Sequence, residues 1–215
     1  QLVEDDQLWC DCTIDLHDVV LTEIADFWGA TFTNNANFRG ATFNRDANFW
    51  GATFNRYAGF GGATFTNAAN FQGATFTNAA NFWGATFTNA ANFQGATFTN
   101  AAHFQGATFT NAANFWGATF NRAADFKRAT FSFAIFRDAT FTNDANFRGA
   151  TFTNAADFEH ATFNRAADFK RATFNRANFQ GATFSRSAPP KDLPLGRVDE
   201  DGLPHGARWA DADDE

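Results

Sequence analysis

The sequence contains no methionine and only two cysteines, and none of its apolar runs approaches the length of about 20 residues that a membrane span needs. Because it begins at Gln1 without Met, we expect a fragment or a processed product. No signal peptide is visible, which favours a cytoplasmic location. Cys10 and Cys12 are too close for a strain-free disulfide, and two thiolates leave a zinc site incomplete. We interpret them as reduced thiols in an N-terminal cap.

The central part of the chain also has almost no Leu, Glu or Lys, residues that favour helices. It is rich in Phe instead. Of 31 Phe residues, 30 form one series from Phe27 to Phe184, with steps of five or six residues. The two steps alternate as far as Phe131, giving an eleven-residue repeat such as ATFTNAANFQG. On a helix, Phe residues five apart would lie about 140° from each other, so no apolar stripe would form. The period therefore predicts stacked copies of a small unit that is not helical.

A strand interpretation fits each unit. In Ala-Thr-Phe or Ala-Asn-Phe, alternation points Ala and Phe to one side and Thr or Asn to the other. The residues between units break this alternation, so the chain must turn after every unit. Glycine recurs at the shorter corner, where a positive φ is easiest, at Gly29, Gly40, Gly51, Gly62, Gly73, Gly84, Gly95, Gly106 and Gly117. Asparagine at the longer corner tolerates left-handed geometry and can bond its own backbone, at Asn67, Asn78, Asn89, Asn100 and Asn111.

The alternation of the steps sets the size of a coil. Five-residue steps should stack on five and six on six, which requires two or four sides per coil. Two sides would cramp the Phe-filled interior, so we expect four sides. The register extends back to Leu21, Leu16 and Cys10. About eight coils then form a rod about 40 Å long, at ~4.8 Å per coil.

Two steps are one residue short, Phe131–Phe136 and Phe174–Phe179. We interpret them as trimmed corners, where Phe133 and Ile135 form an apolar spot. The end coils expose strand edges that need covering, and the two terminal flanks are the candidates for this role.

The units resemble those of the pentapeptide-repeat family, A(N/D)(L/F)xx, over roughly residues 25–186. The matching stretches are Ala69-Asn70-Phe71, Ala80-Asn81-Phe82, Ala91-Asn92-Phe93, Ala124-Asp125-Phe126 and Ala167-Asp168-Phe169. The resemblance implies an all-β fold, a right-handed quadrilateral β-helix with Phe and the preceding small residue inside. The extra residue in alternate units departs from the family pattern and should swell two opposite corners of each coil.

The chain accordingly divides into three predicted parts. These are an N-terminal cap (1–13), the β-helix (14–187) and a disordered acidic tail (188–215), in which Leu193, Leu195 and Trp209 could make a short docking contact.

Charge is distributed unevenly along the chain. The net charge of -7 divides into -6 for residues 1–22, +4 for residues 23–188 and -5 for the remainder, and residues 57–121 contain no charged side chain. Some members of the family are acidic rods that mimic DNA and bind type II topoisomerases such as gyrase. That function needs a dense negative surface, which a basic body does not supply. The basic residues after Arg122 alternate with acids, so nucleic-acid binding is disfavoured as well.

No catalytic constellation is visible. The four histidines (His17, His103, His160 and His205) lie far apart in the sequence, and no phosphate loop or metal-ligand cluster occurs. We therefore predict a chain that is not an enzyme and that needs no cofactor or metal. It would act as a scaffold for a protein partner of unknown identity, as a monomer or as an end-to-end or edge-mediated homodimer.

Two surface features are candidate interaction sites. Trp28, Trp50 and Trp116 fall in one predicted corner column, with Trp83 on the opposite side; Trp28 and Trp50 would be neighbours. They could form a hot spot for a partner or pack down over the corner. Thr pairs flank successive Phe residues at Thr64/Thr66, Thr75/Thr77, Thr86/Thr88, Thr97/Thr99 and Thr108/Thr110. Such rows resemble those of insect-type antifreeze proteins. However, the pairs alternate between opposite faces, and the second Thr begins a corner. Ice binding and topoisomerase binding are thus the alternatives to a protein scaffold.

Overall fold

The computed structural model describes residues 13–193 and 198–210. In these residues the chain forms a four-sided parallel β-solenoid without helices, so they contain no helix that could cross a membrane. Most strands are two residues long because each side accommodates only Thr-Phe or Ala-Asn before the chain turns.

The four sides are numbered in the order in which the chain passes through them. Side 1 contains β1 (Ile14–Asp15), β5 (Ala36–Asn37), β9 (Ala58–Gly59), β13 (Ala80–Asn81), β17 (Ala102–His103), β20 (Ala124–Asp125), β23 (Ala145–Asn146) and β26 (Ala167–Asp168). Side 2 contains β2 (Val20–Leu21), β6 (Thr42–Phe43), β10 (Thr64–Phe65) and β14 (Thr86–Phe87). Side 3 contains β3 (Ala25–Asp26), β7 (Ala47–Asn48), β11 (Ala69–Asn70) and β15 (Ala91–Asn92).

Four longer strands continue sides 2 and 3 together: β18 (Thr108–Asn114), β21 (Thr130–Ile135), β24 (Thr151–Asp157) and β27 (Thr173–Asn178). Side 4 contains β4 (Thr31–Phe32), β8 (Thr53–Phe54), β12 (Thr75–Phe76), β16 (Thr97–Phe98), β19 (Thr119–Phe120), β22 (Thr140–Phe141), β25 (Thr162–Phe163), β28 (Thr183–Phe184) and β29 (Arg208–Trp209). With eight strands on side 1 and nine on side 4, the number of coils is close to the predicted eight.

Each strand pairs with the strand one coil further along. Phe65 lies beside Phe87, 22 residues later, whereas Phe120 lies beside Phe141 because a short step intervenes. Backbone amides link each coil to both of its neighbours: the Thr64 N–H donates to the carbonyl of Ala41 in the preceding coil at 2.8 Å, and the Phe60 N–H donates to that of Asn81 in the next coil at 2.6 Å. This regular ladder satisfies the backbone of strands that are too short to be stable alone.

The Phe series forms four stacked columns inside the solenoid. Phe65 and Phe87 are 4.7 Å apart with nearly parallel rings, and Phe60 meets Phe71 from the opposite side edge to face at 5.3 Å. Both arrangements are favourable for aromatic quadrupoles. The Ala two residues before each Phe is buried along most of the rod. The predicted buried Phe ladder is confirmed.

The shorter corners require a positive φ. Gly51 and Gly73 both have φ of 64° there, as predicted for this series of glycines. Five residues other than glycine adopt the same conformation at the equivalent position in other coils, namely Asp18, Arg128, Asp138, His160 and Arg171. The backbone path is therefore kept even where glycine is replaced.

The longer corners differ from expectation in one respect. None of the five corner asparagines has a positive φ, so the left-handed geometry that Asn tolerates is not used there. The expected bond to the local backbone is present in four of them. Asn78 Oδ1, for example, accepts from the N–H of Ala79 at 2.8 Å, as do its equivalents at Asn89, Asn100 and Asn111. A side-chain acceptor thus stabilises the six-residue corner without left-handed backbone.

The trimmed steps lie in β21 and β27. Each continues around the corner between sides 2 and 3, and a register shift in its pairing absorbs the missing residue. Phe133, one of the two residues of the predicted apolar spot, is 46% exposed, and Ile135 is half-buried.

The described part of the C-terminal segment packs on the last coil, and it includes the docking contact predicted for Trp209 within residues 188–215. Trp209 of β29 pairs beside Phe184, Lys191 bridges to Asp168, and Leu203 is 1% exposed. The physical reason is that the last coil would otherwise leave strand edges and ring faces open to water. Leu193 also packs against the core, whereas Leu195 lies outside the described residues.

At the other end, Leu16 and Leu21 are partly buried against the first coil, as their register predicted. Val19 is exposed. Cys10 and Cys12 lie outside the described residues.

Candidate functional site

The corner between sides 3 and 4 carries an exposed pair of stacked tryptophans. The rings of Trp28 and Trp50 lie 5.6 Å apart and within 3° of parallel, and the residues are 52% and 44% exposed. Their backbone N–H groups donate to Asp26 and Asn48, the outward residues of the preceding strands, each at 3.2 Å. The backbone at each of the two tryptophans is therefore held by a hydrogen bond to the strand that precedes it.

The other two predicted surface tryptophans are not part of this pair. Trp116 lies on the same corner, about 14 Å further along the axis at ~4.8 Å per coil, with two Gln residues between it and Trp50 in the column. Its indole N–H donates to Asp138 at 2.8 Å. Trp83 lies on the opposite corner, between sides 1 and 2. Of the four predicted tryptophans, the structure thus brings together Trp28 and Trp50.

The Thr pairs lie on two opposite sides of the solenoid, as the alternation predicted. The pairs on side 2 are Thr64/Thr66, Thr86/Thr88 and Thr108/Thr110, and the pairs on side 4 are Thr75/Thr77 and Thr97/Thr99. Two of the second threonines on side 2 direct their hydroxyls to the preceding coil. Thr66 Oγ1 donates to the carbonyl of Phe43, and Thr110 Oγ1 donates to that of Thr88, both at 2.7 Å. These hydroxyls are engaged by the backbone.

The second threonines of the side 4 pairs lie in the corner and not in the sheet. Thr77 and Thr99 are exposed, and they follow the last residues of β12 and β16. Their backbone N–H groups donate to the carbonyls of Phe54 and Phe76 in the preceding coil, both at 2.9 Å. Because the chain bends at these residues, Thr77 and Thr99 do not extend the rows of Thr75 and Thr97 into a flat ladder. This arrangement differs from the flat Thr-x-Thr face considered for ice binding.

Charged groups beyond residue 121 are partly paired with each other. Arg137 and Glu159 form an ion pair one coil apart, and their hydrogen bond lowers the pKa of Glu159 and raises the pKa of Arg137. Lys170 lies 3.8 Å from Asp192.

In the first coil the hydrogen bond between Asp15 and His17, 2.7 Å long, lowers the pKa of Asp15 and raises that of His17. Across residues 13–193 and 198–210 no three His, Cys, Asp or Glu side chains form a metal-binding group.

A groove of about 710 Å³, which was not predicted from the sequence, runs along side 1 and its corner with side 2. It is lined by residues of four successive coils, including Tyr57, Gly61 and Trp83. A signal was present in the sequence, because the segment from Tyr57 to Gly61 contains the only Tyr of the chain and two glycines outside the corner series.

Comparison with known proteins agrees with this geometry. The family model for pentapeptide repeats in nine copies matches residues 16–64, 60–108, 104–151 and 147–189, most of the chain. No curated protein matches the sequence.

Proposed function

Because the chain belongs to the pentapeptide-repeat family, we propose that it is a non-catalytic scaffold that binds a protein partner through the corner carrying Trp28 and Trp50. The observation that carries this proposal is the exposed, parallel stack of the two indoles. Tryptophan is among the residues that most often dominate the binding energy of protein interfaces.

The rigidity of the scaffold supports the same proposal. The pair is anchored by backbone bonds within the corner and along the ladder, including the 2.8 Å bond from the Gly29 N–H to the carbonyl of Trp50. A partner therefore meets aromatic area that is already ordered. Such preorganisation reduces the conformational entropy lost on binding.

Neither alternative receives comparable support from the surface. DNA mimicry requires a dense negative surface, but residues 57–121 carry no charge and acids and bases are interleaved beyond them. Ice binding requires a flat row of hydroxyls that are free to order water. However, Thr66 and Thr110 donate to backbone carbonyls, and Thr77 and Thr99 lie where the chain bends. Gyrase supercoiling assays and thermal hysteresis measurements test these two alternatives directly.

The main proposal is tested by capturing partners from a lysate of the source organism with the full chain and with the double variant Trp28→Ser/Trp50→Ser. We expect a protein that is retained by the unchanged chain and lost with the double variant. Trp116→Ser is the matched control, since it removes an exposed indole from the same corner but outside the pair. A partner that survives the double substitution, or that is lost equally with Trp116→Ser, would contradict the assignment.

A further inference from the structure

Gly59 and Gly61 differ from the corner glycines of the repeat. The corner glycines have a positive φ, whereas Gly59 and Gly61 do not, so the backbone does not require glycine at either position. In the coil below, the equivalent positions are Asn37 and Arg39, and in the coil above they are Asn81 and Trp83. Two outward side chains are therefore absent from an otherwise continuous surface, which leaves a notch in side 1.

Tyr57 occupies part of the space beside this notch. A Cβ at position 59 would lie 2.8 Å from its ring, so glycine is needed there for the ring to lie against the strand. The Tyr57 hydroxyl accepts a 2.9 Å hydrogen bond from Asn81 Nδ2. The equivalent bond lower in the same column runs from Asn37 Nδ2 to Asp15 Oδ1, also at 2.9 Å. The phenol thus replaces the missing side-chain acceptor of the ladder, and the ring is held in place, 38% exposed.

The backbone N–H of Gly61 lacks the acceptor that its neighbours have. The N–H of Arg39 donates to Asn37 Oδ1 at 3.2 Å, and the N–H of Trp83 donates to Asn81 Oδ1 at 2.9 Å. Gly59 has no side chain, so it cannot provide this acceptor to Gly61. A backbone donor at the floor of a groove is a ready contact for a ligand oxygen.

The walls of the groove combine aromatic and polar groups. Tyr57 and the exposed indole of Trp83 border the notch, and Arg39, Asp15 and Asp18 line the groove towards the first coil. The lining spans four coils, about 14 Å along the axis at ~4.8 Å per coil. The groove is therefore long enough for an extended ligand and offers it ring faces, donors and acceptors.

We propose that this groove binds a segment of a neutral oligosaccharide. The C–H faces of sugar rings pack on the electron-rich faces of aromatic rings such as Trp83 and Tyr57. Sugar hydroxyls donate and accept at once, which suits the Gly61 N–H, the Arg39 guanidinium and the Asp15 carboxylate.

The same groove fits other ligand classes less well. An anionic ligand would face the carboxylates of Asp15 and Asp18 as well as Arg39. A peptide could not add as a strand to this side, because β9 is already paired with β5 and β13. A neutral ligand with hydroxyl groups matches both the near balance of charge and the lone backbone donor.

The test is calorimetric titration of the full chain with four neutral hexasaccharides, made of α-1,4-glucose, β-1,4-glucose, N-acetylglucosamine and mannose. We expect at least one to bind with a dissociation constant of about 0.1–1 mM, as for a shallow site with few contacts. Gly61→Gln should weaken binding at least about tenfold, because the side chain fills the notch and covers the backbone N–H. The fold should tolerate it, since Gln105 occupies the same column two coils further.

Trp116→Gln is the matched control, because it places the same side chain on the opposite corner, where Gln94 already occupies the column, and it should leave sugar affinity unchanged. Trp83→Ala should weaken binding without filling the groove. The proposal is overturned if none of the four sugars binds the unchanged chain, or if Gly61→Gln binds the sugar as tightly as the unchanged chain does. Neither result bears on the partner proposed for Trp28 and Trp50.

Discussion

The lower coils, residues 31–107, and the upper coils, residues 108–184, have matching interiors and different exteriors. In the lower coils Phe65 and Phe87 stack at 4.7 Å, and in the upper coils Phe141 and Phe163 stack at 4.8 Å. Outside, the shorter corners of the lower coils carry glycine throughout, whereas those of the upper coils also carry other residues such as Arg128. The upper coils also have an ion pair between coils, formed by Arg137 and Glu159. The interior thus sets the path of the chain, and the surface can vary without altering it.

The strands also differ between the two regions, and local sequence is not the cause. The segment TFTNAAN occurs at Thr86–Asn92 and again at Thr108–Asn114. In the first case it forms two separate strands, β14 and β15, and in the second it forms the single strand β18. The difference lies in the neighbour, since β18 pairs around the corner with the trimmed strand β21. In a solenoid, the coil above or below therefore decides part of the local structure.

The most severe way to break the comparison is to remove a core ring from each region. Phe82 and Phe147 are buried in the same column of rings on side 1. Phe82→Ala and Phe147→Ala should each lower the free energy of unfolding by about 3–5 kcal/mol, because burial is lost and a cavity remains. Urea denaturation measures both. Because the interiors match, we expect the two costs to agree within about 1 kcal/mol.

Phe133→Ala is the control for these variants, because it removes the same ring from an exposed position. We expect it to cost no more than about 0.5 kcal/mol. A cost at Phe147 that clearly differs from the cost at Phe82 would mean that the upper core is not equivalent to the lower one.

The core was predictable because its signal is periodic. The series from Phe27 to Phe184 determines which residues lie inside. The step lengths allow two or four sides per coil, and the volume of the Phe side chains favours four. The positive φ at Gly51 and its equivalents followed from the need for a turn after each unit. These features repeat, so each coil carries the same information.

The parts that escaped prediction occur only once or depend on partners in space. A contact of Trp209 on the last coil was predicted, but the burial of Leu203 there depends on how the chain folds back, which composition does not reveal. The groove beside Tyr57 depends on residues 22 positions apart in sequence that lie next to each other across coils. The stacking of Trp28 on Trp50 was predictable in position, but its parallel geometry required the structure.

A smaller effect on stability should come from changing the positive-φ corner residue in each of the two regions. Gly73→Ala places a Cβ at φ of 64° and should destabilise the lower coils by about 1–2 kcal/mol. Arg128→Gly relieves the same conformation in the upper coils and should stabilise by up to about 1 kcal/mol, because the gain exceeds the entropy cost of glycine. Urea denaturation gives both signs.

Gly61→Ala is the control for these corner variants, since Gly61 does not have a positive φ and an added Cβ meets only ordinary contacts at 3.7 Å. It should be neutral or stabilise by about 0.4–1 kcal/mol. If Gly61→Ala were as costly as Gly73→Ala, backbone conformation would not explain the glycines of the lower coils.

The smallest expected effect concerns the ion pair between Arg137 and Glu159, which links two of the upper coils. The hydrogen bond from Arg137 holds the pKa of Glu159 below its ordinary value of 4.5. The stability that this pair contributes is present above the unfolded pKa and is lost as pH falls through the lowered folded pKa. NMR titration of the Glu159 carboxyl should show its pKa rising towards the ordinary value in Arg137→Gln. Arg148→Gln, which removes a charge from the opposite corner between sides 1 and 2, should leave it unchanged. A pKa of Glu159 that is the same with and without Arg137 would show that coil-to-coil charge pairing does not set the electrostatics of this surface.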